Sequence, residues 1–129
     1  MKITRFEDID AWKEARKLVK MVYSVIKKSK EFRKDFRLIS QIQDAAVSSM
    51  SNIAEGFARK SNREFIQFLY ISKSSAAEVQ SEFYVALDQE YVTQEDFDSI
   101  YTQADIVSKM DSGFIKYLYS QLNKPKQPK

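Results

Sequence analysis

Four long stretches of this sequence carry apolar or small residues at alternating steps of three and four, and this repeat constrains the fold most. Such spacing places those residues on one face of a helix. The predicted helices run over about 9–28, 36–58, 62–89 and 94–121. The chain has two glycines and two prolines in 129 residues, too few for the turns of a β-sandwich or a nucleotide-binding α/β domain. The sequence therefore predicts an all-α protein.

Residues that cap helices stand at the predicted helix starts. Asp8 and Asp35 precede the first two helices, where a side-chain oxygen can accept hydrogen bonds from free backbone amides. Ser61 and Glu64 form a capping-box pattern at the start of the third helix. Gly113 lies inside the fourth helix and lowers its propensity by about 1 kcal/mol relative to Ala, so we expect a weak point there.

Short connections between helices of similar length predict how they are arranged. They favour antiparallel neighbours, so we expect an up-down-up-down four-helix bundle in one domain, residues 1–122. The second and third helices are rich in Ser and Ala, and antiparallel pairing places Ser49 near Ser72, with closely approaching backbones. The last residues, 123–129, carry three lysines and both prolines and are expected to form a flexible basic tail.

The charge of the chain is divided between its two halves. Residues 1–63 contain 15 Lys and Arg against 8 Asp and Glu, giving +7, whereas residues 64–123 contain 3 against 10, giving −7. The opposite charges either neutralise each other within or between subunits, or leave a basic patch open for a polyanion. The candidate patch for nucleic-acid or subunit contact consists of Lys13, Arg16, Lys17, Lys20, Lys27, Lys28, Arg33, Lys34 and Arg37.

The predicted topology places the first and third connections at the same end of the bundle. The first connection is mainly basic and the third is acidic, so we expect the basic corner of one subunit to face the acidic corner of the next. Head-to-tail contacts of this kind close into a ring when the rotation permits. The number of tyrosines also favours a homo-oligomer, because four helices of this size cannot bury all of the aromatic residues inside one bundle. These tyrosines are Tyr70, Tyr84, Tyr101, Tyr117 and Tyr119.

The residue types exclude several classes of chemistry. The chain has no His and no Cys, which excludes disulfides, metal sites built from these residues, Ser-His-Asp triads and cysteine nucleophiles. Glu78 and Glu82 can share a helix face, but such charges are usually solvated. We therefore predict a non-enzymatic protein with no metal, cofactor or small-molecule substrate. No segment is apolar enough to span a membrane and the start lacks a signal peptide, so the cytoplasm is expected.

The stretch 41–68 is the most specific part of the chain. It contains Asn52-Ile53-Ala54-Glu55-Gly56, followed by Arg59, Ser61 and Glu64-Phe65. This run resembles the four-helix-bundle family associated with 23S ribosomal RNA intervening sequences, and the resemblance extends over about 6–118. We expect the motif residues either to line a polar functional site or to satisfy backbone groups at a helix turn. They are Ser49, Asn52, Glu55, Gly56, Arg59, Ser61 and Glu64.

The resemblance implies a small helical bundle in a five-fold ring, because relatives assemble as homopentamers. Relatives that accompany diversity-generating retroelements are accessory factors of a reverse transcriptase and contact nucleic acid. Two functions are therefore open for this chain. One is a non-enzymatic oligomeric scaffold or adaptor; the alternative is a nucleic-acid-binding accessory factor that binds RNA or DNA through the basic patch.

The sequence departs from the family pattern at three places. Met50 stands where the family usually has Pro, which should straighten the second helix. Arg37 stands where a Gly is common, and Gln43-Asp44 stands where the family often has Arg-Arg. The loss of two cations from an inner face weakens the nucleic-acid interpretation for this member.

Overall fold

The computed structural model describes residues 3–122 and Lys124, and this part of the chain is all-helical, without a β-strand. A 3-10 turn, Phe6–Asp8, precedes five helices. These are α1 (Asp10–Lys28), α2 (Lys30–Lys34), α3 (Phe36–Phe57), α4 (Asn62–Asp88) and α5 (Gln94–Leu122). The all-α prediction is confirmed. The predicted basic tail, 123–129, lies outside the described residues except for the exposed Lys124.

The start of α1 differs from the prediction. Asp8 is not its N-cap, because Asp8 ends the 3-10 turn and Ile9 occupies the cap position without a side-chain hydrogen bond. The Ile9 side chain is fully buried. The start of α1 is therefore held in the core by an apolar side chain and has no side-chain cap for its free amides.

The connection between the first two long helices contains the short helix α2, which the sequence pattern did not reveal. Ser29 caps it, because its Oγ accepts a hydrogen bond from the backbone amide of Phe32 at 3.1 Å. Phe32 is fully buried and its ring lies 5.2 Å from that of Tyr91 and 6.2 Å from that of Phe83. The aromatic contacts of this one residue fasten α2 to the core.

Side-chain caps begin each of the next three helices. Asp35, Ser61 and Thr93 each accept a hydrogen bond from the backbone amide three residues further on, at 3.1, 3.2 and 3.1 Å. Helix α5 runs through Gly113 without a break, and a Cβ added there would meet no atom within 4 Å. The glycine is therefore not required by packing within the chain.

The four long helices share one cluster of buried apolar side chains. Helix α1 packs on α3 and α5, and α4 packs on the same two helices. Small residues line the contact between α3 and α4, where the Oγ atoms of Ser49 and Ser72 are 3.1 Å apart, as the sequence predicted. Near the turn, a Cβ added at Gly56 would lie 2.7 Å from Cβ of Phe68, so only glycine fits without a shift.

Candidate functional site

Five of the seven motif residues, Glu55, Gly56, Arg59, Ser61 and Glu64, lie where α3 ends and α4 begins. Arg59 is 3.9 Å from the carboxylate of Glu55, and its guanidinium lies 4.8 Å from the centre of the Phe68 ring. Ser61 accepts the hydrogen bond from the amide of Glu64 that caps α4. These contacts are all within the chain, and they fix the geometry of the turn.

Asn52 is engaged along its own helix. Its side-chain amide donates to the backbone carbonyl of Ser48 at 2.7 Å and to the hydroxyl of the same residue at 3.0 Å. That hydroxyl is 2.9 Å from the hydroxyl of Ser75 on α4. The motif asparagine therefore supports the contact between α3 and α4.

Ser49 begins a chain of hydrogen bonds that crosses the core. The Ser72 hydroxyl, 3.1 Å from that of Ser49, donates to Oδ2 of Asp111 on α5 at 2.6 Å, and all three side chains are fully buried. Oδ1 of Asp111 has no hydrogen-bond partner among the described residues. Burial raises the pKa of Asp111 to about 7, against the opposing effects of the Ser72 hydrogen bond and the Lys73 cation.

A second carboxylate with a raised pKa lies outside the core. Glu82 is half-buried, and burial, followed by the charges of Glu78 and Asp44, raises its pKa to about 7. Its Oε1 is buried without a partner among the described residues. The expectation that this carboxylate is simply solvated is therefore wrong. Within the described part of the chain no group of acidic residues is arranged to hold a metal ion.

The basic residues of α1 line an open cleft beside α5. The cleft has a volume of about 640 Å³, and five of the nine predicted patch residues form one wall of it. These five are Lys13, Arg16, Lys17, Lys20 and Lys28. Asp96 and Ser99 of α5 line the same cleft. The arrangement can hold an extended anion by charge and by serine hydroxyls.

The other four patch residues do not line this cleft. Arg33 donates to the backbone carbonyl of Lys27 at 2.6 Å, and Lys34 lies 3.6 Å from the carboxylate of Glu31. Both of these cations and Arg37 are exposed around α2. The structure therefore divides the predicted patch into a cleft group on α1 and an end group around α2, and the exposed Lys27 in the last turn of α1 belongs to the end group.

Charges from the two halves of the sequence meet within a single chain. Nζ of Lys28 lies 3.2 and 3.3 Å from the two carboxylate oxygens of Asp96, and the Tyr91 hydroxyl donates to Asp35 at 2.9 Å. The first and third connections are therefore adjacent. Among the described residues, no acidic group lies within 4.0 Å of the ammonium groups of Lys17 and Lys20.

A surface of different character covers α4 and α5. Nine of the twelve large apolar side chains that are exposed in the described residues belong to these two helices. They include the five tyrosines singled out from the sequence, which are between 38% and 50% exposed. Tyr84 and Tyr101 form a small aromatic group with Phe97, whose ring lies 4.8 and 5.8 Å from theirs.

The fold and these surfaces define a small all-helical protein with a cationic cleft and with exposed tyrosines on α4 and α5. The family model of the 23S rRNA-intervening sequence protein matches residues 7–113, and the chain belongs to that family, as its motif predicted. No curated protein matches the chain. None of the helices in the described residues has the length and apolar character needed to cross a membrane.

A solved structure with the same fold comes from Bacteroides thetaiotaomicron, where it is described as a protein with unknown function from the S23 ribosomal protein family. It superposes with a TM-score of 0.76 at 24% sequence identity, covering 82% of this chain and 98% of the other. Neither this description nor that of the family names a catalytic activity.

Proposed function

We propose that the chain is a non-enzymatic scaffold or adaptor subunit of a homo-oligomer, built as an antiparallel up-down-up-down four-helix bundle and acting in the cytoplasm. The family resemblance suggests a ring of five subunits. The observation that supports self-association best is the concentration of exposed apolar side chains on α4 and α5. Apolar and aromatic groups at this density are typical of surfaces that another protein covers.

The subunit number tests this proposal. A pentamer has five times the chain mass of 15.1 kDa in light scattering, and a mass of 15.1 kDa at micromolar concentration would overturn the proposal. Replacing both Ile71 and Val85 of α4 by Asp should lower the assembled mass, because charges would then enter the apolar surface. Tyr23→Asp on α1 is the control, since Tyr23 is exposed but lies outside that face, and it should leave the mass unchanged.

The charged ends of the subunit offer a second test of the proposed ring. Lys28 and Asp96 are already paired within one chain, but Arg33 and Lys34 stay exposed and make their polar contacts inside the first connection. Like Lys27, Lys30 and Arg37 at the same end, these two cations are exposed and can meet an acidic corner of a neighbouring subunit. Reversing both to Glu should reduce the assembled mass at low salt, where surface charges are least screened. Unchanged assembly would count against head-to-tail contact of the corners.

A second candidate function is the binding of RNA or DNA in the α1 cleft. The observation that favours it is the row of α1 cations along one open cleft, of which Lys17 and Lys20 have no acidic partner within 4.0 Å among the described residues. Lysine and arginine in such a row neutralise successive phosphates and release the counterions bound to them.

Salt dependence separates the two candidate functions. If the cleft binds phosphates, affinity for an RNA or DNA oligonucleotide should fall steeply between about 50 and 200 mM salt. If the chain is only a scaffold, neither nucleic acid should bind at the lower salt concentration. Fluorescence anisotropy with labelled single-stranded RNA and duplex DNA measures both outcomes in one series.

A further inference from the structure

We infer that Asp96 competes with the anion that binds in the α1 cleft. Its carboxylate is paired with Lys28, and a bound polyanion contacts Lys28 only by displacing Asp96. The inference rests on the proposed binding of nucleic acid in the cleft. It adds a residue on α5 that weakens the binding, and it predicts a gain of affinity on substitution.

The position of Asp96 carries the inference. It is the only acidic residue among the described residues that line the cleft. Its two carboxylate oxygens are 3.2 and 3.3 Å from the same ammonium group, so the lysine is shared between both oxygens, as it would be between two oxygens of a phosphate. The internal carboxylate therefore stands where a phosphate of a ligand would bind.

The two partners are held unequally. Asp96 lies in the first turn of α5, where the helix dipole favours a negative charge, and its backbone amide donates to the Thr93 hydroxyl at 3.1 Å. Its side chain is 22% exposed, whereas that of Lys28 is 60% exposed. Asp96 is thus the more buried partner, with its backbone held by the cap, and the more exposed lysine is the partner that can turn towards a ligand.

Lys28 also stands at the end of the cationic row. From Lys13 to Lys28 the helix rises by about 22 Å, at 1.5 Å per residue, which is long enough for several consecutive phosphates. An ion pair as exposed as this one is weak in water. A polyanion that releases counterions along the row can therefore compete for the last cation, and Asp96 reduces the length of the row that is open to it.

The test measures the affinity of the full chain for a labelled 20-nucleotide oligouridine RNA at several salt concentrations. Asp96→Asn should bind about two- to fivefold more tightly than the natural chain at low salt, the range set by exposed ion pairs. Its slope of log affinity against log salt should be steeper by up to about 0.7, since Lys28 then meets a phosphate in every complex and is no longer shared with Asp96.

The control is Glu95→Gln, which removes the same charge from the same helix turn. Glu95 is exposed and does not line the cleft, so its loss acts only through the overall charge and should leave the slope unchanged. In a Lys28→Gln background, Asp96→Asn should lose its advantage, because the cation that it releases is gone. Circular dichroism of each variant verifies that the helices are intact.

The outcomes are distinguishable. If Asp96→Asn and Glu95→Gln change affinity and slope equally, Asp96 is not a competitor, although the cleft still binds RNA. If Asp96→Asn still increases RNA affinity in the Lys28→Gln background, Asp96 does not act through Lys28 and the inference is wrong. If neither the natural chain nor any variant binds the RNA at the lowest salt, the proposed nucleic-acid function fails and this inference fails with it.

Discussion

The turn between α3 and α4 and the cleft along α1 use polar residues in opposite ways. At the turn, Arg59 reaches Glu55 and the Phe68 ring, and Ser61 caps α4, so these polar groups make contacts within the chain. In the cleft, Lys17 and Lys20 have no acidic partner within 4.0 Å among the described residues. The comparison shows that polar groups of the family motif make contacts within the chain at the turn, whereas Lys17 and Lys20 of the cleft form no ion pair with the described residues.

The largest expected effect concerns the hydrogen-bond chain that starts at the motif residue Ser49. The Asp111 carboxyl has a pKa of about 7 in the folded chain against 3.8 ordinarily, so between these pH values the folded state holds a proton that the unfolded state has released. Stability should therefore fall as pH rises from about 4 to 7 and level off above, by about 2–3 kcal/mol between pH 5 and 8.

Urea unfolding across that pH range measures the effect, and Asp111→Asn removes the titrating group. The variant should show a flatter pH profile than the natural chain. Burial also raises the pKa of Glu82, so some dependence of stability on pH should remain in Asp111→Asn. The Glu82→Gln variant measures how much of the pH dependence comes from Glu82. An identical slope in Asp111→Asn and the natural chain would show that Asp111 does not titrate in this range.

The next effect belongs to the cleft. Replacing both Lys17 and Lys20 by Glu should lower RNA affinity about 100-fold at low salt, because two phosphate contacts become repulsive. Their side chains are solvated, so stability should change by less than about 0.5 kcal/mol. The matched control reverses the exposed Lys60 and Lys116, which do not line the cleft. Equal losses in both double variants would mean that overall charge, not the cleft, governs binding.

A change of Gly56 at the turn should lower stability and leave RNA affinity unchanged, the opposite of the result expected in the cleft. The added methyl of Gly56→Ala meets Cβ of Phe68 at 2.7 Å and the Phe65 ring at 2.8 Å. Overpacking should outweigh the gain in helix propensity and lower stability by about 1–2 kcal/mol, with RNA affinity unchanged in the folded protein. Gly113→Ala is the control, since its methyl meets nothing within 4 Å and should stabilise the chain by up to about 1 kcal/mol. Changes of the same sign would contradict this account of the turn.

The smallest effect is expected at the cap of α4. Ser61→Ala removes the oxygen that accepts from the amide of Glu64 and should lower stability by about 1 kcal/mol. Ser61→Asp should restore most of that loss, because aspartate caps helices equally well. Thermal unfolding compares the three proteins. A loss in Ser61→Ala that Ser61→Asp fails to restore would point to a role other than capping.

The sequence was sufficient for the long helices, because each repeats its apolar spacing over many turns. Asp35 and Ser61 were recognised as caps from their position before such repeats, and the pairing of Ser49 with Ser72 followed from small residues on adjacent helices. These features depend on neighbours in sequence or on one short connection. Local chemistry decides them, so they can be read without coordinates.

The features that the sequence did not predict depend on contacts between distant residues or on very short elements. Helix α2 has five residues and no repeat, and its formation depends on the burial of Phe32. The sequence predicted the basic first connection and the acidic third at the same end of the bundle, but not the particular pair of Lys28 and Asp96, whose residues are 68 positions apart. Asp111 did carry a signal, because it continues the spacing of the α5 apolar face four residues after Val107, a place where a carboxylate is rarely expected.

The serine and aspartate oxygens in the core have a consequence for how the helices can move. Apolar side chains tolerate lengthwise sliding of helices, because one apolar contact replaces another. The hydroxyls of Ser49 and Ser72 and the carboxyl of Asp111, in contrast, form their hydrogen bonds at only one lengthwise alignment of α3, α4 and α5. A shift by one helical turn, about 5.4 Å, would leave these buried oxygens without hydrogen-bond partners. These contacts hold α3, α4 and α5 at one lengthwise offset. The buried Gln103 of α5 holds α1 in a similar way, because its side-chain amide donates to the carbonyl and the carboxylate of Glu14 at 2.9 and 3.0 Å. Lengthwise sliding of any of the four long helices would therefore break these hydrogen bonds.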